Sequence, residues 1–279
     1  MSSDTDRAAI EGAPSERPRA WSNPVRAAFR ATLLIAGSCV YLAIWVLFVN
    51  PRLRDPRKRA ETSARWTGYW ARYCCWAAGF RVSYRGEPPR NGSLIAPNHL
   101  GYADVLAIGS RVPCFFVAKI DVERWPFIGT LFRVSHNIGV PRTRAKELME
   151  TTRQIEDRLR NGASVCVFLE GTSSGGMRLL PFYAPLVQPA IDAGAPVVPV
   201  AIRWTAGDAR IDISEDVAYW RPEHTFGPHA WRLLGLRRVR AELTFAKPIN
   251  PSGQHRKLLA EAANRAVAEL LGIEPATTR

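Results

Sequence analysis

Ser93-Leu-Ile-Ala-Pro-Asn-His-Leu-Gly-Tyr-Ala-Asp-Val-Leu-Ala-Ile108 reads as a buried strand, a turn and the opening of a helix. The apolar run ends at Pro97, which has no N–H for a ladder, and Asn98-His99 fall in the turn before a helix whose first turn holds Asp104. Were the whole stretch helical, His99 and Asp104 would stand about 140° apart and could not meet. With His99 in the loop, a first-turn carboxylate folds back onto one imidazole nitrogen, fixes the tautomer and leaves the other nitrogen as a base. No Ser or Cys adjoins the histidine, so the natural proton donor is a hydroxyl of the substrate. A strand-end histidine with a carboxylate five residues on points to catalysis rather than to a satisfied structural residue.

Outward from that stretch, β-rich apolar runs at 81–85, 94–96, 114–118, 165–169, 197–203 and 240–245 alternate with helix-period segments near 103–110, 143–161, 184–193 and 255–271. This alternation predicts an α/β fold, a mixed sheet flanked by helices. A second stretch, Val165-Cys-Val-Phe-Leu-Glu-Gly-Thr-Ser-Ser-Gly-Gly176, is again a buried strand running into a Gly/Ser turn. Glu170 falls at the strand's carboxyl end, where α/β sheets place ligands, and the backbone of 171–176 is expected to offer N–H donors to an oxyanion or phosphate.

Gly171-Thr-Ser173-Ser-Gly175 also matches the G-x-S-x-G elbow of serine hydrolases, with Asp208 or Asp212 and then His224, His229 or His255 in the required order. Against it, Gly175-Gly176 is a poor helix start, no HGGG-type loop precedes it, and the His99/Asp104 pair would have no role. A hydrolase using Ser173 and a non-catalytic lipid-binding protein are the two rival readings.

The front of the chain has a different composition. Residues 1–25 are rich in Pro, small residues and mixed charge, as in an unpacked disordered tail. Residues 26–80 read as a pair of membrane-anchoring helices ahead of a catalytic domain at 81–279. From Ala31 to Val49 no residue is charged, and 19 residues at the helical rise give roughly 28 Å, close to the hydrocarbon thickness. The run ends at Asn50-Pro51-Arg52 without a small-x-small pattern, which argues against a cleaved signal. Basic residues flank both ends, favouring a helix that enters and leaves on one side or a shallow anchor. In the next segment, Trp66, Tyr69, Trp70, Tyr73, Trp76 and Phe80 share one helical face edged by Arg65 and Arg72, so residues 60–80 are expected to lie at the membrane interface.

The formal charge of +13 comes from 38 Lys+Arg against 25 Asp+Glu, and its distribution is uneven. Residues 50–90 carry 10 basic and 3 acidic side chains and residues 220–256 carry 7 and 2, whereas 91–219 carry 13 of each. Basicity beside an anchor and a neutral catalytic stretch point to an anionic membrane surface, not to nucleic acid. Five cysteines without a C-x-x-C pair give neither a disulfide frame nor a zinc site, and no metal is expected.

Taken together, these stretches resemble the glycerolipid acyltransferases, typified by 1-acylglycerol-3-phosphate O-acyltransferase. Asn98-His99-x4-Asp104 resembles the family's N-H-x4-D block, and Phe115-Phe-Val-Ala-Lys119 with Trp125-Pro-Phe-Ile-Gly129 the segment after it. Gly139-Val-Pro-Arg142, Phe168-Leu-Glu170-Gly171-Thr172 and Val197-Val-Pro199-Val200 resemble the second, third and fourth blocks, in family order. The resemblance implies that His99 deprotonates an acceptor hydroxyl for attack on an acyl thioester, with Asp104 orienting it. It implies substrate binding by Asn98, Lys119, Arg142, Glu170, Gly171 and Thr172. The donor would be acyl-CoA or acyl carrier protein, with no cofactor, and the site of action the cytoplasmic face of the inner membrane. The implied acceptor is a lysolipid, first 1-acylglycerol-3-phosphate. Ser173 stands where the third block carries Arg, and Arg178 could replace that phosphate contact. The E-G-T-S-S-G-G form, with Leu180-Pro-Phe182 and the later Tyr219-Trp220…Pro228-His229, is similar to the subgroup that acylates lyso-ornithine lipid.

Overall fold

In the computed structural model, residues 22–120, 128–140 and 145–276 are described. The elements run α1 (Pro24–Ile44), α2 (Pro56–Ala78), β1 (Arg81–Arg85), β2 (Leu94–Pro97), α3 (Tyr102–Gly109), β3 (Phe115–Lys119), α4 (Ile128–Val134), β4 (Ile138–Val140) and α5 (Ala145–Arg160). They continue with β5 (Val165–Cys166), α6 (Gln188–Ala193), β6 (Val197–Ala206), α7 (Phe226–Gly235), β7 (Val239–Phe245) and α8 (Arg256–Leu271). The strands form one sheet in the order β1-β7-β6-β2-β5-β3-β4. All neighbours are parallel except β6 and β7, so the sheet is mixed and the expected α/β fold is observed.

Central β2 is buried along its whole length, with its side chains alternating between two cores. Ile95 joins Ala103, Ala107, Cys75 and Leu233 on the face covered by α2, α3 and α7. Leu94 and Ala96 join Ile155, Ala190, Leu259 and Ala263 on the face covered by α5, α6 and α8. Because β2, β5 and β6 lie side by side and parallel, the segments after Pro97 and Cys166 emerge at the same sheet end. That pairing brings the two informative stretches together.

The first helix continues through a π turn at Trp45–Val49 and a 3-10 turn at Asn50–Arg52. Among the described residues this one helix, Pro24–Arg52, is long and apolar enough to cross a membrane, and little of it is covered by protein. Its exposed residues include Val40, Ile44, Val46, Leu47 and Phe48. The aromatic stripe of α2 is distributed differently from the sequence expectation. Trp66 stacks on Tyr41 at 5.2 Å, Trp70 Nε1 donates to Ser38 Oγ at 2.9 Å, and Tyr73 donates to Leu33 O at 2.5 Å. Only Tyr69 and Trp76 of the stripe are exposed, while Phe80 is buried in the domain core. The reason is steric: α2 is sandwiched between α1 and the domain, so a face that would meet headgroups on a lone helix meets α1 instead.

The N-terminal end of α1 is fastened to the domain. Arg26 donates to Gly235 O at 2.7 Å, and Arg30 donates to Leu234 O and Leu236 O at 2.8 and 2.7 Å. These carbonyls belong to the C-terminal end of α7, which lacks intrahelical donors and favours cations.

Candidate active site

His99 leaves the end of β2 and Asp104 sits in the first turn of α3. Asp104 Oδ2 lies 3.0 Å from His99 Nδ1 and accepts from the backbone N–H of Leu100 at 2.6 Å and of Gly101 at 2.8 Å. Oδ1 accepts from Trp204 Nε1 at 2.7 Å. A carboxylate serving three N–H donors acts as acceptor towards Nδ1 as well, so the proton resides on Nδ1 and Nε2 carries the lone pair. Asp104 is fully buried, whereas the His99 side chain keeps 20% of its surface accessible, enough for a substrate to reach the ring. Phe168 stacks on that ring at 3.9 Å and holds its plane.

The turn between them depends on Gly101. A Cβ there would lie 2.8 Å from Tyr219 N, and the close approach lets Tyr219 N donate to Leu100 O at 2.8 Å. The loop 98–101 is thereby joined to the segment after the π turn at Ile213–Val217.

Two residues expected to bind substrate have their polar atoms occupied by the protein. Asn98 is buried, its Nδ2 donating to Ile202 O at 3.1 Å and its Oδ1 accepting from Ile202 N at 2.6 Å. Its geometry is that of a clamp between the end of β2 and β6, not of a substrate contact. Glu170 Oε1 accepts from His99 N at 2.6 Å and Oε2 from Leu180 N at 2.9 Å. It braces the loop that carries His99, and burial pushes its carboxyl up to about 8 against the pull of those two donors.

The 171–176 loop is latched, where the sequence suggested an open cradle. Gly171 N–H donates to Phe168 O at 3.0 Å, Ser174 N–H to His99 O at 2.9 Å, and Gly176 N–H to Ser174 Oγ at 3.4 Å. Positive φ at Gly171 (68°) and Gly176 (81°) makes the turn tight enough for these bonds. Thr172 and Arg178 are half-buried in and after this loop. Arg142 lies outside the described residues. Lys119 ends β3, and its side chain also lies outside what is described.

The Ser173 rival is not assembled. Ser173 donates to Tyr219 O at 2.6 Å, and no helix starts at the residues directly after it. Asp208 pairs with Arg210 at 2.8 Å, and Asp212 caps the π turn by accepting from Ser214 N. His255 caps α8, while His229 bonds Tyr102 at 2.8 Å and Ala218 O at 3.0 Å. None of these bonds joins Ser173 to a base.

Sequence reasoning missed Trp204 and Phe168 as partners of the dyad. Phe168 was within reach, since it stands two residues before Glu170 on a run read as a buried strand. Comparison with known proteins agrees with the geometry. Residues 80–203 match the Acyltransferase family model. The chain is 30% identical to a lyso-ornithine lipid O-acyltransferase of Rhodobacter capsulatus, over 93% of this chain and 95% of that one. It is 33% identical to a 1-acyl-sn-glycerol-3-phosphate acyltransferase of Neisseria gonorrhoeae, over 51% of this chain and 59% of the relative. The fold is similar to the crystal structure of the 1-acyl-sn-glycerophosphate acyltransferase PlsC of Thermotoga maritima, with a TM-score of 0.63 at 21% identity, over 88% of this chain and 96% of that one. With a relative matched almost end to end and a histidine–aspartate pair set at the carboxyl end of the central strand, the chain belongs to the glycerolipid acyltransferase family and is an acyltransferase.

Proposed function

We propose that this acyltransferase esterifies the free hydroxyl of a lysolipid with a fatty acyl group from a thioester donor, acyl-CoA or acyl carrier protein, at the cytoplasmic face of the inner membrane. The His99–Asp104 contact of 3.0 Å carries the reading. His99 Nε2 takes the proton of the acceptor hydroxyl as its oxygen attacks the thioester carbon. The tetrahedral intermediate collapses, the C–S bond breaks, and the thiolate leaves with the proton from His99. Asp104 stabilises the imidazolium formed between the two transfers. Arg142 and Arg178 are the cationic candidates for the acceptor headgroup.

Two acceptors fit this chemistry, 1-acylglycerol-3-phosphate and lyso-ornithine lipid. Ser173 in place of an arginine, its hydroxyl already donated to Tyr219 O, favours an acceptor that needs one phosphate contact fewer. The relative matched over 93% of the chain is named for lyso-ornithine lipid, which supports the same reading. The test is thioester consumption with each lysolipid in detergent micelles. His99→Ala should lower the rate on the accepted lysolipid by about 10²–10⁴-fold, and a wild-type rate in folded His99→Ala protein would reject the mechanism.

A further inference from the structure

Asp104 has a fourth donor from far along the chain, and nothing in the dyad's own loop supplies it. Trp204 lies on β6, is 4% exposed, and sends its indole N–H to Asp104 Oδ1 at 2.7 Å, on the oxygen that His99 does not use. Phe80, just beyond α2, meets the indole edge-on at 5.4 Å and restricts its tilt. The two oxygens of Asp104 therefore have separate duties. Oδ2 binds the imidazole and the loop amides, and among the described residues Oδ1 is held only by Trp204.

We propose that Trp204 is a positioning residue of the acyl-transfer reaction: its N–H pins Asp104 Oδ1, fixing the rotation of the carboxylate and so the aim and basicity of His99. The inference rests on the role proposed above for His99 and goes one layer beyond it. A buried carboxylate deprived of one donor holds its remaining partners more strongly and turns more freely about χ2. In a metal site, loss of such an outer partner lowers activity by about 10–100-fold, and a carboxylate–histidine pair follows the same physics. Among the described residues, the other titratable groups beside the pair are Glu170, bonded to His99 N, and Cys166 on β5, both raised by burial.

The experiment compares Trp204→Phe, and Trp204 replaced by β-(3-benzothienyl)alanine, which keeps the indole shape without the N–H, with the wild-type enzyme. Folding is checked by near-ultraviolet circular dichroism, and kcat and kcat/KM are followed from pH 5 to 9. Both variants should lose about 10–100-fold in kcat with little change in KM. The acidic limb of kcat/KM should move to higher pH, because the under-bonded carboxylate stabilises the imidazolium more. A merely structural indole would leave that limb where it is. Wild-type kcat and an unmoved limb in the folded benzothienyl variant would overturn the proposal. His99→Ala in the same series separates the layers: full activity there rejects the proposed mechanism, whereas an inactive His99→Ala beside normal Trp204 variants rejects only the indole's role.

Discussion

Ile202 receives and returns a hydrogen bond with a single side chain, that of Asn98, and this reciprocal pair explains why an Asn precedes His99. It ties the last turn of β2 to the neighbouring strand where the chain must change direction. Asn98→Ala should cost about 1–3 kcal/mol in unfolding free energy, since two buried backbone groups lose their partner. The check is urea denaturation, and an unchanged midpoint would count against the clamp. Glu170 provides a test in pH. Its folded carboxyl lies above the ordinary value of 4.5, at about 8, so the folded chain holds a proton that the unfolded chain has released between those limits. This contribution to stability is complete below about pH 4.5 and is lost as the pH rises through about 8. Glu170→Gln should remove that fall, seen as a flatter dependence of the urea midpoint on pH than in the wild type. The histidine and aspartate were legible because their spacing is local and Pro97 marks the strand end. Trp204 was not, because its contact exists only once β6 pairs with β2, a long-range register that no local spacing encodes.

At the scale of elements, the alternation of period two and period 3.6 was enough for β1, β2, β6, α5 and α8. β4 escaped it because three residues at an edge are too few to establish a period. α7 escaped it because Gly227-Pro228 near its start reads as a turn, yet proline is tolerated in a first helical turn where no N–H is needed. β5 ends at Cys166 rather than 169, although Val167 still donates to Ile95 O at 2.9 Å before the chain turns into the loop of Glu170. α7 also carries His229, held neutral by burial and by His224, its value lowered to about 4. Its far end receives Arg26 and Arg30. Replacing both by Ala should lower the thermal midpoint by several degrees, since three carbonyls at a helix terminus lose charged donors. An unaltered melting curve would mean that this fastening contributes nothing.

On the scale of the molecule, the end of the first basic block becomes a neighbour of the second. β1 pairs with β7 in parallel register, setting Arg81 beside Arg240, and Arg237 lies between α7 and the start of β7; all three are exposed. Each such charge near an anionic bilayer is worth about 1 kcal/mol. Changing Arg81, Arg237 and Arg240 to Glu should weaken flotation with anionic vesicles and flatten its salt dependence, while neutral vesicles should bind as before. Equal binding to anionic vesicles would place the charge in another role. Composition alone counted this basicity, but only the sheet order sets Arg81 beside Arg240.

The fastening of α1 to α7 bears on how such an enzyme can be handled and how it can evolve. Removing residues before 56 to gain solubility would strip Arg26 and Arg30 from the carbonyls of Leu234, Gly235 and Leu236 and leave Tyr41's stacking partner, Trp66, uncovered. A foreign anchor fused in its place would restore the membrane but not those contacts. The first helix is therefore also packed as a part of the domain, and a graft would need to keep residues 23–30 and the face of α1 that holds Tyr41 and Ser38 while leaving its exposed apolar side free to vary.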